Sequence, residues 1–379
     1  MGAITCVEDL RRLARRRVPR MFFDYLEGGS YSESTLHANR LELQRLALRQ
    51  RVARDISRRE LGSRMLGRPV SLPLALAPTG LCGMLHADGE IHAARAAEKA
   101  GVPFTLSTMS ICSIEDVRAH TSAPFWFQLY VIRDRDFLCR LLERARQAGC
   151  SALMLTLDLP VMGQRHRDVK NGLTAPPRPT PRNLLDLLRR PAWCRDMLRT
   201  PRRQFGNIVG HARGVTDGAS LAAWHVQQFD SSLGWDDVAW IKGEWGGPLI
   251  VKGILDAEDA RSAVAAGADA VVVSNHGGRQ LDGAPATIRV LPQIAAAVGQ
   301  DADVWLDSGI RTGQDILRAL AYGASAVLVG RAFLYGLAAQ GEAGVTRVLD
   351  ILRQELDVTL ALCGLTALSQ VDARVLYAD

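Results

Sequence analysis

Several things are missing from this 379-residue sequence, and each absence narrows it. No run of 18 or more apolar residues occurs, so no segment is built to cross a bilayer as a helix. The opening Met1-Gly2-Ala3-Ile4-Thr5 has no basic region ahead of an apolar one, which is the pattern of a secretion leader. The seven cysteines are scattered, odd in number and without a C-x-x-C pair. That argues against a disulfide scaffold or a cysteine-held metal and for reduced thiols in a cytoplasmic protein; no metal site is expected. No G-x-G-x-x-G opens a helix after an early strand, which counts against a doubly wound dinucleotide fold. No low-complexity tail is present, and an apolar content of 47% is enough for a full core.

What is present is a rhythm. Two helical stretches, about Glu8–Leu26 with a break at Pro19 and then about Ser32–Leu46, form an N-terminal prelude. From residue 72, short apolar runs start near Leu74, Phe104, Phe125, Ala152, Leu249, Ala270, Val304 and Ala326. Most are followed by a helical stretch, and several of these close on glycine. The spacing between starts is 21 to 34 residues, apart from one interval of 97. Eight strands alternating with helices at that spacing predict an α/β fold of the (β/α)8, or TIM, barrel type. The expected organisation is one domain over 1–379: prelude 1–71, barrel 72–379, and an insertion at about 176–216 between strands four and five.

The insertion carries the charge. Nine arginines and two aspartates between 176 and 216 give a net +7, against +6 for the whole chain, so the remainder is close to neutral. Prolines 176, 177, 179, 181, 191 and 201 exclude one long helix. Leu184, Leu185, Leu187, Leu188, Trp193, Met197, Leu198 and Phe205 are interleaved with the arginines. Short amphipathic pieces of this kind suit an anionic membrane surface. The other reading is a solvated, unstructured insertion. No nucleic-acid motif accompanies the charge.

Barrels place chemistry where strands end, so the strand ends are the places to read. They offer Pro78-Thr79-Gly80, Ser107, Gln128 with Tyr130, Thr156 with Asp158 and then Arg165, Lys252, Ser274 with His276 and Arg279, Asp307 with Gly309 and Arg311, and Gly330-Arg331. Glycine with arginine after strands seven and eight suits a phosphate. Gln128, Thr156, Ser107 and Lys252 offer hydrogen bonds and one positive charge, which suits a flat heterocycle attached to that phosphate. His276 exchanges protons near neutrality. Arg279 presents a planar donor fork to a carboxylate. Asp158 is placed to orient His276, although an aspartate taken singly is more often a helix cap.

The run Ser274-Asn275-His276-Gly277-Gly278-Arg279-Gln280-Leu281-Asp282 resembles the signature of the FMN-dependent L-2-hydroxy acid dehydrogenases and oxidases. Phe23-Asp24-Tyr25-Leu26-Glu27-Gly28-Gly29 and Gly330-Arg331-Ala332-Phe333-Leu334-Tyr335-Gly336 extend the likeness to nearly the whole chain. The resemblance implies FMN across the barrel mouth. Its polar ring edge would meet Ser107, Gln128, Thr156 and Lys252, with the backbone near Pro78-Thr79-Gly80 against N5 and with Ser274 and Asp307 in the cofactor-binding set. The phosphate would sit on Gly309, Arg311, Gly330 and Arg331. It implies His276 as base supported by Asp158, Arg279, Arg165 and Tyr25 at the substrate carboxylate, and Tyr130 at the reacting hydroxyl. Ser30-Tyr31-Ser32-Glu33, Ala47-Leu48-Arg49-Gln50-Arg51 and Gly80-Leu81-Cys82-Gly83-Met84 are most similar to bacterial membrane-associated L-lactate dehydrogenases that feed a quinone or cytochrome chain. A mandelate dehydrogenase or a soluble oxidase using oxygen is the alternative. Met109 and Met162 would line the substrate pocket with pliant apolar groups. The same likeness implies peripheral attachment to the cytoplasmic side of the inner membrane through 176–216, a homo-tetramer, and no nucleic acid. The insertion 177–215 is expected to be removable with the chemistry retained.

Overall fold

The structure is a computed structural model that describes residues 2–173, 180–215 and 232–377. The eight barrel strands are β3 (Leu74–Leu76), β4 (Thr105–Ser107), β5 (Trp126–Tyr130), β6 (Ala152–Thr156), β7 (Leu249–Ile254), β8 (Ala270–Val273), β9 (Asp303–Leu306) and β10 (Ala326–Val329). Each begins within one residue of its expected start. They run parallel in the order β3-β10-β9-β8-β7-β6-β5-β4, and a parallel bridge between Leu76 and Phe104 joins the two ends of the sheet. The result is a (β/α)8 barrel.

Alternation along each strand explains why these runs were legible. Ala75, Trp126, Met154, Ile250, Val272, Trp305 and Leu328 pack together inside the barrel. Their neighbours Leu74, Phe127, Leu155, Val251, Val273, Leu306 and Val329 face the surrounding helices. Trp126 and Trp305 stack across the interior at 5.3 Å. The same period of two sends Ser107, Gln128, Thr156, Lys252, Ser274 and Asp307 to the inside, at the C-terminal ends. Register then sets them side by side: Ser107 is opposite Gln128, and Thr156 is opposite Lys252.

The prelude holds three helices, α1 (Val7–Arg17), α2 (Arg20–Glu27) and α3 (Ser34–Arg45). The link between α2 and α3 reaches the mouth, where Ser30 N–H donates to the carbonyl of Gly278. A short hairpin, β1 (Ser63–Met65) and β2 (Arg68–Val70), puts Met65 among the barrel-interior residues. Nothing in the sequence reading anticipated it.

The described part of the insertion is folded onto the barrel. Its first half is two short helices, Pro181–Leu188 and Pro191–Arg199, each starting at a proline. Trp193 is buried, stacks on Phe22 of α2 at 5.5 Å and donates Nε1–H to the carbonyl of Met84 at 2.8 Å. Asp196 accepts from Arg17 of α1. The second half is embedded. Asn207 is fully buried, accepts from Ile114 N–H at 2.9 Å and donates to Ser110 Oγ at 2.9 Å and to the Ser107 carbonyl at 3.2 Å. Arg202 bridges Asp116 at 2.7 Å and Asp88 at 3.1 Å. Removal of 177–215 would therefore strip hydrogen bonds from the barrel's own loops, most of them supplied by the second half. Pro176, Pro177, Arg178 and Pro179 lie outside the described residues.

Candidate active site

A cavity of about 760 Å³ opens at the C-terminal ends of the strands. It is lined by Tyr25, Pro78, Thr79, Gly80, Tyr130, Arg165, Lys252, His276, Arg279, Asp307, Gly309, Arg311, Gly330 and Arg331. Residues spread over more than 300 positions thus converge on one rim, as the strand-end reading requires. Ser107, Gln128, Thr156, Ser274 and Asp158 stand just behind that lining, all buried or nearly so.

His276 follows β8 with φ 56°, a left-handed backbone that costs a residue with a Cβ about 1–2 kcal/mol. Two contacts hold it there. Its N–H donates to Ser274 Oγ at 3.1 Å, and its Nδ1 lies 2.9 Å from Asp158 Oδ1. With Nδ1 committed to the carboxylate, Nε2 is the nitrogen left to take a proton. Burial pushes the His276 pKa below its ordinary value, and the nearby Asp158 only partly offsets this. Burial alone would raise Asp158, but the adjoining His276, which bonds to it, and Lys252 outweigh it and hold the carboxyl below its ordinary value. The pair is thus neutral imidazole beside carboxylate at neutral pH.

Lys252 is 3% exposed and bonds to Ser274 Oγ at 2.9 Å, with Asp307 Oδ2 at 3.2 Å. Burial opposes its charge; Asp307 and Asp158 together overcome that and raise its pKa. Ser274 also donates to Asp307 Oδ2 at 2.6 Å, so Ser274 and Asp307 sit beneath the ammonium as its holders. Ser107 Oγ donates to Gln128 Oε1 at 3.0 Å. Gln128 Nε2 and Thr156 Oγ1 are buried with no hydrogen-bond partner. Two orphaned polar atoms under a large cavity are costly unless a ligand satisfies them.

Four guanidiniums surround the rest of the mouth, and among the described residues none is in a salt bridge. Arg331 donates to the carbonyls of Leu26, Gly277 and Gly28 at 2.8 to 3.0 Å. Arg279 donates to those of Tyr25 and Gly28 and lies 4.6 Å over the Tyr25 ring. Arg311 lies over the Tyr335 ring and donates to its neighbour's carbonyl. Arg165 reaches the Arg279 carbonyl at 3.3 Å. Burial, with Arg279 and Arg311 adding to it, pushes Arg331 down to about 9; burial and Arg279 push Arg165 down to about 10. Cations gathered without counter-charges make an anion site. Gly277, at φ 68°, permits this: a Cβ there would stand 2.5 Å from Arg331 Nη1.

Sequence reasoning missed three contributors. Ser308, at φ 82°, accepts from Gly277 N–H at 3.0 Å and fixes the turn after His276. Met21, Phe22, Phe205 and Val209, from prelude and insertion, add an apolar arm to the cavity. Asp168, a buried carboxylate, lines it too. A lone serine or aspartate carries no signal of this kind in sequence.

Fold and site define an oxidoreductase-type barrel: an acid–base pair, a buried ammonium and room for a phosphate-bearing ring at one mouth. Residues 14–378 match the family described as FMN-dependent dehydrogenase. The chain is 47% identical to an L-lactate dehydrogenase of Azorhizobium caulinodans over 370 residues, 97% of either chain. It is 47% identical to one of Caulobacter vibrioides, with 98% of this chain and 97% of the other covered. The crystal structure of the monotopic membrane protein (S)-mandelate dehydrogenase superposes with a TM-score of 0.95, at 42% identity and complete coverage of both chains. This chain belongs to the FMN-dependent dehydrogenase family, and FMN is its cofactor.

Proposed function

We propose that this enzyme oxidises L-lactate to the 2-oxo acid and passes the electrons to a quinone or cytochrome acceptor at an anionic membrane surface. The observation that carries the reading is the single rim shared by the His276–Asp158 pair, Lys252 and the arginines without salt bridges. FMN's phosphate is assigned to Arg311, Arg331 and the backbone of Gly309 and Gly330, the last standing at the start of the helix Arg331–Leu362. Its ring edge would satisfy Gln128 Nε2 and Thr156 Oγ1, with Ser107 alongside, and Pro78, Thr79 and Gly80 line the same cavity. When bound, FMN supplies a two-electron acceptor.

The residues do the remainder. Arg279 and Arg165 hold the substrate carboxylate, with Tyr25 beside them, and fix the Cα–H in direction. Tyr130 faces the reacting hydroxyl; burial raises its pKa, so it stays a neutral donor. His276 takes the proton at Nε2, and Asp158 stabilises the imidazolium so formed. Lys252 places positive charge where reduction concentrates negative charge.

The surface of the insertion supports the membrane part. Leu184, Leu185, Leu188 and Leu198 are exposed, Leu188 by 73% and Leu198 by 74%, among exposed Arg182, Arg189, Arg195 and Arg199. No described helix is long and apolar enough to cross a membrane. Peripheral attachment on the cytoplasmic face suits that combination. A homo-tetramer is part of the same reading.

Met109 and Met162 on the cavity wall favour a second substrate, mandelate, because both side chains can reshape around a ring. Anaerobic mixing of the yellow enzyme with L-lactate or (S)-mandelate decides. Faster bleaching by lactate supports the first reading and faster bleaching by mandelate the second. Reoxidation by a short-chain quinone that outpaces air supports the acceptor; the reverse points to an oxidase.

A further inference from the structure

Asp168 has no place in the chemistry above. It lies in the short helix His166–Lys170, lines the cavity and is 7% exposed. Among the described residues its buried Oδ1 has no hydrogen-bond partner and the carboxylate makes no ion pair. The charged groups facing it are Arg279 from the loop after β8, Arg165 and Arg167 from its own segment, and Asp24 from α2. Two of these are committed elsewhere: Arg167 to Glu33, and Asp24 to Arg20 and Asn171. That leaves one anion without a counter-ion facing two cations without counter-ions, close enough to feel them and too far to touch. A buried carboxylate in reach of a guanidinium ordinarily closes on it, because an unpaired buried charge is expensive.

We propose that Asp168 is a built-in rival to the substrate carboxylate, a residue that sets the affinity of the Arg165–Arg279 clamp and makes that affinity fall as pH rises. The proposal rests on the clamp reading of the two arginines. Ionised, Asp168 cancels part of their positive potential and repels an incoming anion. Protonated, it releases that potential, and its hydroxyl becomes a donor. Burial raises its pKa above the ordinary carboxyl value, so the change begins at higher pH than for a free aspartate. The advantage to the enzyme is release: the 2-oxo acid product is an anion too, and a clamp of undiminished charge would hold it.

Pyruvate is the suitable probe, since it stays a monoanion across the range and is not oxidised. Its binding is followed by the visible spectrum of the flavin in holoenzyme carrying His276→Gln, which removes the imidazole titration. Adding Asp168→Asn should tighten pyruvate binding roughly tenfold near pH 8, with the gain shrinking toward pH 5. Asp168→Glu should keep the slope, which a merely structural role would not restore. Equal or weaker binding by the Asp168→Asn protein at every pH, with the flavin retained, overturns the proposal alone. If neither protein binds pyruvate at any pH, the clamp reading falls and this inference falls with it.

Discussion

The arginines of the barrel rim and those of the insertion are the same residue put to opposite uses. Arg165, Arg279, Arg311 and Arg331 are buried or half-buried, in no salt bridge among the described residues, and held by backbone carbonyls. Arg182, Arg189, Arg195 and Arg199 are exposed on short helices among exposed leucines. The first set is pre-positioned: its desolvation cost is met in folding, so a particular anion of fixed geometry gains the full charge. The second is exposed to water and suits any negative surface. Net charge locates only the second set. The rim's four barely register in a body that is close to neutral overall.

The comparison breaks first at Arg279. If geometry matters there, Arg279→Lys keeps the charge yet raises KM for the hydroxy acid about 30-fold, since a charged bidentate contact is lost. An unchanged KM would make the rim no more specific than the insertion. Next comes the insertion itself. Replacing Leu184, Leu185 and Leu188 by serine should cut partitioning onto anionic vesicles by about tenfold or more, while kcat with a soluble dye acceptor stays within twofold. Equal loss of dye activity would mean that the exposed half also shapes the site.

The two halves of the insertion give a smaller contrast, read in stability. Asn207→Leu should cost about 1–3 kcal/mol, because it strands the Ile114 N–H in the interior and removes the donor to Ser107 and Ser110. Leu188→Ser, on the exposed half, should change stability by no more than about 0.5 kcal/mol. Denaturant unfolding of the two holoenzymes compares them.

The pH profile is the finest probe. His276 acts neutral and its folded pKa lies below 6.5, so protonation silences it only below its ordinary range. In the Asp168→Asn protein, where the clamp no longer titrates, kcat/KM should therefore hold steady from neutrality down through about pH 6.5 and fall only in more acidic buffer. A fall beginning above pH 7 would mean that Asp158 dominates over burial.

Much of this was written in the sequence, for identifiable reasons. A buried parallel strand is an apolar run cut off by polar residues, so Val271-Val272-Val273 before Ser274 marks its own end. The inward parity of Gln128, Lys252 and Asp307 follows from that end by counting in twos. Pairings that cross the chain were not legible. The turn of the β1–β2 hairpin puts Leu66 at φ 50° and Gly67 at φ 72°, and leucine gives no hint of a left-handed turn. The embedding of Asn207 depends on Ile114 and Ser110, nearly a hundred residues earlier. Asp168 escaped notice because its significance lies in what its neighbours are already bound to.

The central claim is that base, clamp and redox ring meet at one rim, and anaerobic reduction by L-lactate tests it most directly. The His276→Gln holoenzyme should remain yellow as purified and bleach at least about 10³-fold more slowly than the wild type at saturating substrate. Bleaching at a comparable rate would contradict the account, and a variant that never takes up flavin would show that His276 belongs to the cofactor site instead.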